Sequence, residues 1–440
     1  MRKIAVVLCF VVVTALTLGI GFSRAAEVDV LINKLVEKGL LSESEAKQLL
    51  NEMQKESARQ KAEIEQVAAD AAKKEVKTAP QTKLSKFLEK TKFSGDLRLR
   101  YQGEDTQQIL GEQNTEWRDR GRFRWRLAAE TQITDQWKAG FGLASGSEDP
   151  RSTNQTIGDT FSSKPVNIDL AYVSYKPYSW LSSVGGKFKN PLWEPKDLLW
   201  DTDIRPEGVA FGLKGKVRPK LEFFFTPCLF VIQEVRVGDD VYMLGLQPGM
   251  DWAINDTTDL KLTGAYYTFQ NLKGSIVQYS SVSNSRIDGA YLWDYNSIAA
   301  GAELGFKLAS PYVPYLALFG QYVHADTNQE DYGYLAGIKF GKKKLKKLGD
   351  WQFIYNYRHL ERNAWPDFLP DSDFYGGATN SEGSEVEFTV GLAEHVTIGV
   401  DYYYAVLINK NDPALGIIGE NVVLGLTRQN LVQVDLVLKW

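Results

Sequence analysis

The stretch L-V-Q-V-D-L-V-L-K-W, Leu431 to Trp440, decides how this chain is read. Side chains of an extended strand alternate between its faces, so Val432, Val434, Leu436, Leu438 and Trp440 share one side and Gln433, Asp435 and Lys439 the other. One face suits hydrocarbon and the other water. A regular strand ending on an aromatic fits the last strand of a closed sheet in a membrane. A soluble β-sandwich can also finish this way, so this stretch leaves both readings open.

The opposite end bears on the compartment. Met1-Arg2-Lys3 is a charged start, Ile4 to Phe22 is almost wholly apolar, and Ser23-Arg24-Ala25 offers small residues for cleavage before Ala26, the pattern of a secretory signal over residues 1–25. A retained anchor helix is the alternative. Cys9 does not mark a lipoprotein, because Leu8 stands where a small residue is needed. Beyond Phe22 no stretch approaches the ~18 to 20 continuous apolar residues that a membrane helix requires, so a membrane-embedded body must be built of strands.

Composition agrees with that. Aromatics form 12% of the chain, with 21 Tyr and 11 Trp, as interfacial girdles demand. Of the two cysteines, Cys9 falls in the signal and Cys228 in the body, so the mature chain forms no internal disulfide. Residues 1–92 hold 16 Lys+Arg and 12 Asp+Glu; the rest holds 35 and 43, a net of −8 that argues against a nucleic-acid partner.

The body divides in two. Residues 26–79 are rich in Ala, Glu, Lys and Gln, with Ser42 and Glu45 spaced as a capping box. A heptad runs through Leu50, Met53, Ser57, Gln60, Ile64, Val67 and Ala71, with polar residues at two places; a trimeric coiled-coil stalk and a partly ordered spacer are both compatible with it. Residues 80–92 form a linker after Pro80.

From 93 to 440 the period becomes that of strands. Segments near 93–102, 119–133, 136–145, 166–176, 180–188, 208–218, 220–234, 241–253, 258–270, 297–309, 313–324, 332–340, 350–361, 384–393, 396–407 and 429–440 make sixteen, an even number as bacterial barrels require. Counted from a periplasmic start, the outer connections 103–118, 146–165, 189–207, 271–296, 362–383 and 408–428 are long, while turns such as Thr134-Asp135 are brief. A sandwich has no reason to alternate so. The expected fold is all-β and transmembrane, a 16-stranded antiparallel up-and-down barrel with an N-terminal helical segment.

Charge places the chemistry. Arg118, Arg120, Arg122, Arg124 and Arg126 share one face of the second strand, opposite Phe123, Trp125, Leu127, Ala129, Thr131 and Ile133, and Arg98 and Arg100 do the same on the first. On hydrocarbon each would cost about 2–4 kcal/mol near the midplane, so they are expected to line a wet lumen. The same residues on a soluble sheet would be an ordinary solvated face. The third outer connection carries Glu194, Asp197, Asp201, Asp203 and Glu207. An inward fold of that loop sets acids against the arginine wall, narrowing the lumen under a transverse field. Its apolar runs, Leu192-Trp193 and Leu198-Leu199-Trp200, bury against the wall or a neighbouring protomer. Gln433 and Asp435 are expected beside the first strand, where the barrel closes, and Trp440 at the periplasmic rim as an assembly signal read by the barrel-assembly machinery.

Weaker features take bland readings. Lys342, Lys343, Lys344, Lys346 and Lys347 fall at a periplasmic turn, against anionic lipid heads or solvent. Asp371 and Asp373 lack the remaining calcium-loop spacing and are expected in a solvated outer loop. His324, His359 and His395 are scattered, and HExxH, GxSxG, GxxxxGK and GxGxxG are absent, so no enzyme, cofactor or metal is expected.

The segments D-L-A-Y-V-S-Y-K-P (169–177), G-G-K-F-K-N-P-L-W-E-P (185–195), D-L-L-W-D-T-D-I-R-P-E-G (197–208), W-Q-F-I-Y-N-Y-R-H-L-E-R-N-A (351–364) and D-S-D-F-Y-G-G-A-T-N (371–380), with the stalk motif at Leu35 to Ala46, together resemble a family of bacterial outer-membrane porins. The resemblance spans nearly the whole mature chain. It implies a passive, homotrimeric channel for small hydrophilic solutes and ions, in outer-membrane lipid with its stalk in the periplasm. Two other functions stand beside it: a structural barrel tethered to the cell wall through the stalk, and an outer-membrane barrel enzyme, for which no Ser-His pair is nominated. Selectivity is expected to be modest, since the arginines favour anions while the net charge and acidic loop favour cations.

Overall fold

The structure, a computed structural model, describes residues 87–108, 117–409 and 426–440, with isolated positions between 38 and 66. The chain forms two units, Met1–Leu84 and Ser85–Trp440. In the first, Ser42 and Glu45 form the expected reciprocal cap: the Glu45 N–H donates to Ser42 Oγ at 3.3 Å and the Ser42 N–H to Glu45 Oε2 at 3.0 Å. The signal, all seven heptad residues and positions 80–86 lie outside the described residues.

The second unit is one antiparallel barrel of sixteen strands: β1 (Thr91–Gln108), β2 (Arg118–Gln132), β3 (Trp137–Ser145), β4 (Val166–Tyr178), β5 (Leu181–Lys187), β6 (Glu207–Arg218), β7 (Leu221–Gln233), β8 (Val241–Ala253), β9 (Thr258–Gln270), β10 (Ser297–Lys307), β11 (Tyr315–Ala325), β12 (Tyr332–Gly341), β13 (Trp351–Leu360), β14 (Ser381–Ala393), β15 (Val396–Leu407) and β16 (Leu426–Lys439). Each pairs with its sequence neighbours, and β1 pairs with β16 in the register Asp96↔Lys439 to Gln107↔Arg428. No edge is left, which is how sheets satisfy their backbone in lipid.

Alternation decides the two faces. On β1, Phe93, Leu99 and Tyr101 are exposed on the outer wall, while Arg100 and Gln102 are buried inside. On β16, Gln433 is fully buried and Asp435 nearly so, while Trp440, just past its end, is half exposed. Its backbone pairs with Gly95, where the missing side chain leaves room for the indole.

Boundaries differ from the expected ones at the start. A helical turn at 87–89 lies inside the proposed linker, β1 begins at Thr91, and it runs to Gln108, shortening the first outer connection. Two-residue strands also decorate the long loops: Gln155–Thr156 pairs with β2, and Arg286–Ile287 pairs with Ala290–Tyr291.

Two of the described outer loops turn inward on their apolar residues. Loop 3, residues 188–206, and loop 7, residues 361–380, share an apolar core with the inner faces of β6 to β13: Leu198, Leu199, Trp200, Trp365, Phe368 and Leu369 pack with Phe230, Met243, Tyr267, Phe269, Phe319 and Leu335. The Trp365 ring sits 5.0 Å from Tyr267 and 5.4 Å from Phe269, edge to face, and its indole N–H donates to the Leu199 carbonyl at 2.7 Å. Ordering a loop costs roughly 1–2 kcal/mol per residue in backbone entropy, and each buried Leu or Phe returns roughly 1.5–3 kcal/mol. A polar loop would have stayed in solvent. The apolar runs of loop 3 therefore bury against the wall and loop 7.

Candidate functional site

The inner wall opposite that core is ionic. Even positions of β1 and β2 and odd positions of β16 point into the lumen, so Asp96, Arg98, Arg100, Gln102 and Glu104 face Arg120, Arg122, Arg124 and Arg126 on one side and Gln433 and Asp435 on the other. The expected arginines do come together, but they are not a bare positive wall. Arg100 grips Asp435 with two nitrogens at 2.7 Å each and Asp373 at 3.0 Å. Arg98 reaches Asp435 at 3.5 Å and the Asn154 side-chain oxygen at 2.6 Å. Arg124 and Arg126 share Asp96, at 2.9 and 2.7 Å, and Arg120 pairs with Glu104 at 2.9 Å. Arg122 donates to the neutral Gln102 and Ser152, at 3.0 and 3.4 Å. Arg118 lies exposed at the start of β2. Paired guanidiniums and carboxylates at these distances cancel most of each other's far field.

Of the five loop-3 acids, one meets this wall. Asp203 lies 3.1 Å from Arg126 and 3.8 Å from Arg124, and accepts from the Thr153 hydroxyl at 2.8 Å. Burial alone would push its carboxyl up; the two guanidiniums outweigh that and pull it down to about 2. The other four correct the picture of an acidic loop facing arginines. Glu194 is enclosed near the Tyr267 hydroxyl at 3.5 Å, and burial drives its carboxyl well above the usual range. Asp197 binds Arg358 of β13 at 2.9 Å. Asp201 joins the loops, accepting the Ser372 N–H at 2.8 Å; burial and then Asp203 raise it well above the usual range. Glu207 begins β6 and pairs with Lys187 at 2.8 Å near the outer mouth.

A second correction concerns loop 7, expected in solvent. Asp371 and Asp373 are inside the lumen: Asp371 is 3.5 Å from Arg358, and Asp373 pairs with Arg100. The cause is the neighbouring apolar residues, Trp365, Phe368 and Leu369, which bury only if the loop enters the barrel. Asp367 then holds loop 5, residues 271–296, to loop 7 by accepting the Ser280 hydroxyl at 2.6 Å, the backbone N–H of Ser283 and Asn284 at 2.6 and 3.0 Å, and the Tyr291 hydroxyl.

Sequence reasoning missed a further cluster. Arg358 binds Glu385 of β14, and the ammonium of Lys196 in loop 3 lies 3.2, 3.0 and 2.7 Å from Asp197, Glu385 and Glu387. Glu385 and Glu387 stand two apart on one strand, the same signal that exposed the arginines, and Asp401 of β15 lies opposite Glu387. Loop 3 is thus pinned at both flanks, by Asp203 to β2 and by Lys196 to β14. Spaces of about 380 and 400 Å³ adjoin it, the first lined by Lys187, Arg205 and Glu234 of the long-loop end, the second by Glu130, Lys138 and Lys176 towards the short turns. No cluster of metal-ligating side chains is present among the described residues.

A family model described as "putative porin" matches residues 104–299 and 290–417. Solved structures similar to the chain include OprB of Pseudomonas putida at high pH, 12% identical over 80% of this chain and 95% of that one, with a TM-score of 0.50. OmpF of Salmonella typhi with daunomycin is 11% identical, covers 80% and 97%, and has a TM-score of 0.46. A triple mutant of Rhodopseudomonas blastica porin is 10% identical, covers 80% and 100%, and has a TM-score of 0.41. At 12% identity the first supports the barrel fold. A search among curated proteins finds no match.

Proposed function

The chain belongs to the putative porin family and is an outer-membrane channel, and on that premise we propose that it passes small hydrophilic solutes and ions passively, as a homotrimer whose residues 26–79 form a periplasmic stalk. One observation carries the reading: an arc of ionised side chains from β13 through β16 to β1 and β2 stands inside a closed barrel whose outer wall is apolar, a distribution that fits water within. The constriction is the level of loop 3, between the Arg124–Asp203–Arg126 contact and the Lys196–Glu387 contact. There, solutes pass close to charges that are mutually compensated, which supports weak rather than strict ion selectivity.

Planar-bilayer recording of the purified protein tests this. Discrete conductance steps are expected, and their absence under voltage defeats the channel reading. Arg122→Ala and Arg124→Ala together are expected to alter conductance and shift the reversal potential in a salt gradient; unchanged values would move the constriction away from this wall.

A further inference from the structure

The seven short turns of the barrel differ sharply in charge. Six of them, at 133–136, 179–180, 219–220, 254–257, 308–314 and 394–395, contain one lysine, Lys220, against Asp135, Asp256 and Glu394. The seventh, 342–350, reads K-K-K-L-K-K-L-G-D. Its backbone is held firmly despite that repulsion. Lys342 N–H donates to the Trp351 carbonyl at 2.7 Å, Gly349 and Gly391 bridge the turn to β14, and the Asp350 carboxylate accepts the N–H groups of Lys346 and Lys347 at 2.9 and 3.2 Å. Those two bonds hold the Asp350 carboxyl below its usual range, so it stays ionised and bound to the backbone. Lys343 turns to Asp259 at 3.8 Å and covers the Tyr315 ring at 4.8 Å. Among the described residues, Lys342, Lys344, Lys346 and Lys347 make no ion pair, and Lys344, Lys346, Lys347 and Leu348 are exposed.

We propose that this turn is a binding site for the phosphate of an anionic phospholipid in the inner leaflet of the outer membrane. The turn leaves β12 at Gly341, one residue beyond Phe340, and enters β13 at Trp351. On the lipid-facing wall Trp351 lies 5.9 Å from Phe340 and 6.1 Å from Phe388, the aromatic cluster that marks the interfacial level. Lysines one turn beyond such a belt stand at headgroup depth, where phosphate supplies the counter-charge the protein withholds. Leu348, 73% exposed and lying between Lys347 and Trp351 in the chain, fits an acyl-chain boundary rather than bulk water. The site rests on the outer-membrane reading and on the short turns facing the periplasm, and it is independent of the lumen.

The experiment is native mass spectrometry of the full-length protein, equilibrated with equal phosphatidylglycerol and phosphatidylethanolamine. The wild type is expected to retain the anionic lipid preferentially, K342Q/K344Q/K346Q/K347Q to lose that preference by roughly ten-fold, and the corresponding four-arginine variant to keep it. Equal retention by the wild type and the glutamine variant overturns the site. So does unchanged lipid retention with lost binding to isolated cell-wall sacculi, which would assign the turn to that polymer. Conductance steps recorded on the same preparations keep the two readings apart: steps without lipid preference sink this site, while lipid preference without steps sinks the channel.

Discussion

The two halves of the lumen obey one alternation rule and end differently. From β6 to β13 many inward positions are apolar, such as Phe230, Met243, Tyr267, Phe319 and Leu335, and loops 3 and 7 fill the space against them. On β14 to β16, β1 and β2 the inward positions include Glu385, Glu387, Asp401, Asp435, Arg98, Arg100 and the β2 arginines, and most contacts there are ionic, apart from an apolar patch of Tyr403, Ala405, Leu407 and Leu431 against Phe374 and Tyr375 of loop 7. The contrast shows what shapes the opening. Apolar wall recruits apolar loop by the hydrophobic effect, whereas charged wall holds its neighbours at salt-bridge distance and keeps water.

The comparison can be broken most directly at Trp365, where the two inward loops meet. Trp365→Ala should cost about 3–5 kcal/mol of barrel stability, read as a lower thermal midpoint, and should raise single-channel conductance as loops 3 and 7 loosen. An unchanged conductance would mean that the apolar half does not set the opening. Arg358→Ala strikes the ionic side of loop 3, leaving Asp197, Asp371 and Glu385 without their guanidinium; ~3 kcal/mol is expected, at the lower end for a broken buried pair because Lys196 still faces two of these carboxylates. Replacing Lys196 as well should cost less than the sum of the two single changes if they share one network, which a double-mutant cycle on thermal midpoints will show.

Arg122→Ala should be gentler, about 1–2 kcal/mol in stability, because it breaks hydrogen bonds to neutral partners and no ion pair. Its signature is electrical, a reversal potential moved towards cations. The smallest effect concerns pH. The Asp203 pair with Arg124 and Arg126 holds that carboxyl near 2, below its ordinary value of 3.8, so its contribution is present above about pH 4 and fades as pH falls through 2. Current noise from loop 3 should rise over that acidic window and stay flat between pH 5 and 7.

Much of the barrel is legible in the sequence alone. The sixteen strands fall where period-two alternation put them, and Arg122, Arg124 and Asp435 point inward because parity along a strand leaves no other choice. The pairing of those charges was not readable: Asp435 meets Arg100 only because β16 closes against β1 in one particular register, 335 positions away. Loop 7 departs from the sequence expectation for a similar reason. Asp371 and Asp373 look like solvent residues in the chain, and only the burial of Trp365 beside Leu199 carries them into the lumen.

The sequence by itself determined a strand-built wall with an apolar outside and an ionic inside, since alternation and the lack of a long apolar run beyond Phe22 are local properties. Tertiary structure decided which charges compensate one another, which loops enter, and therefore where the channel narrows. Those outcomes depend on contacts between segments far apart along the chain, whose energies exist only once the barrel has closed.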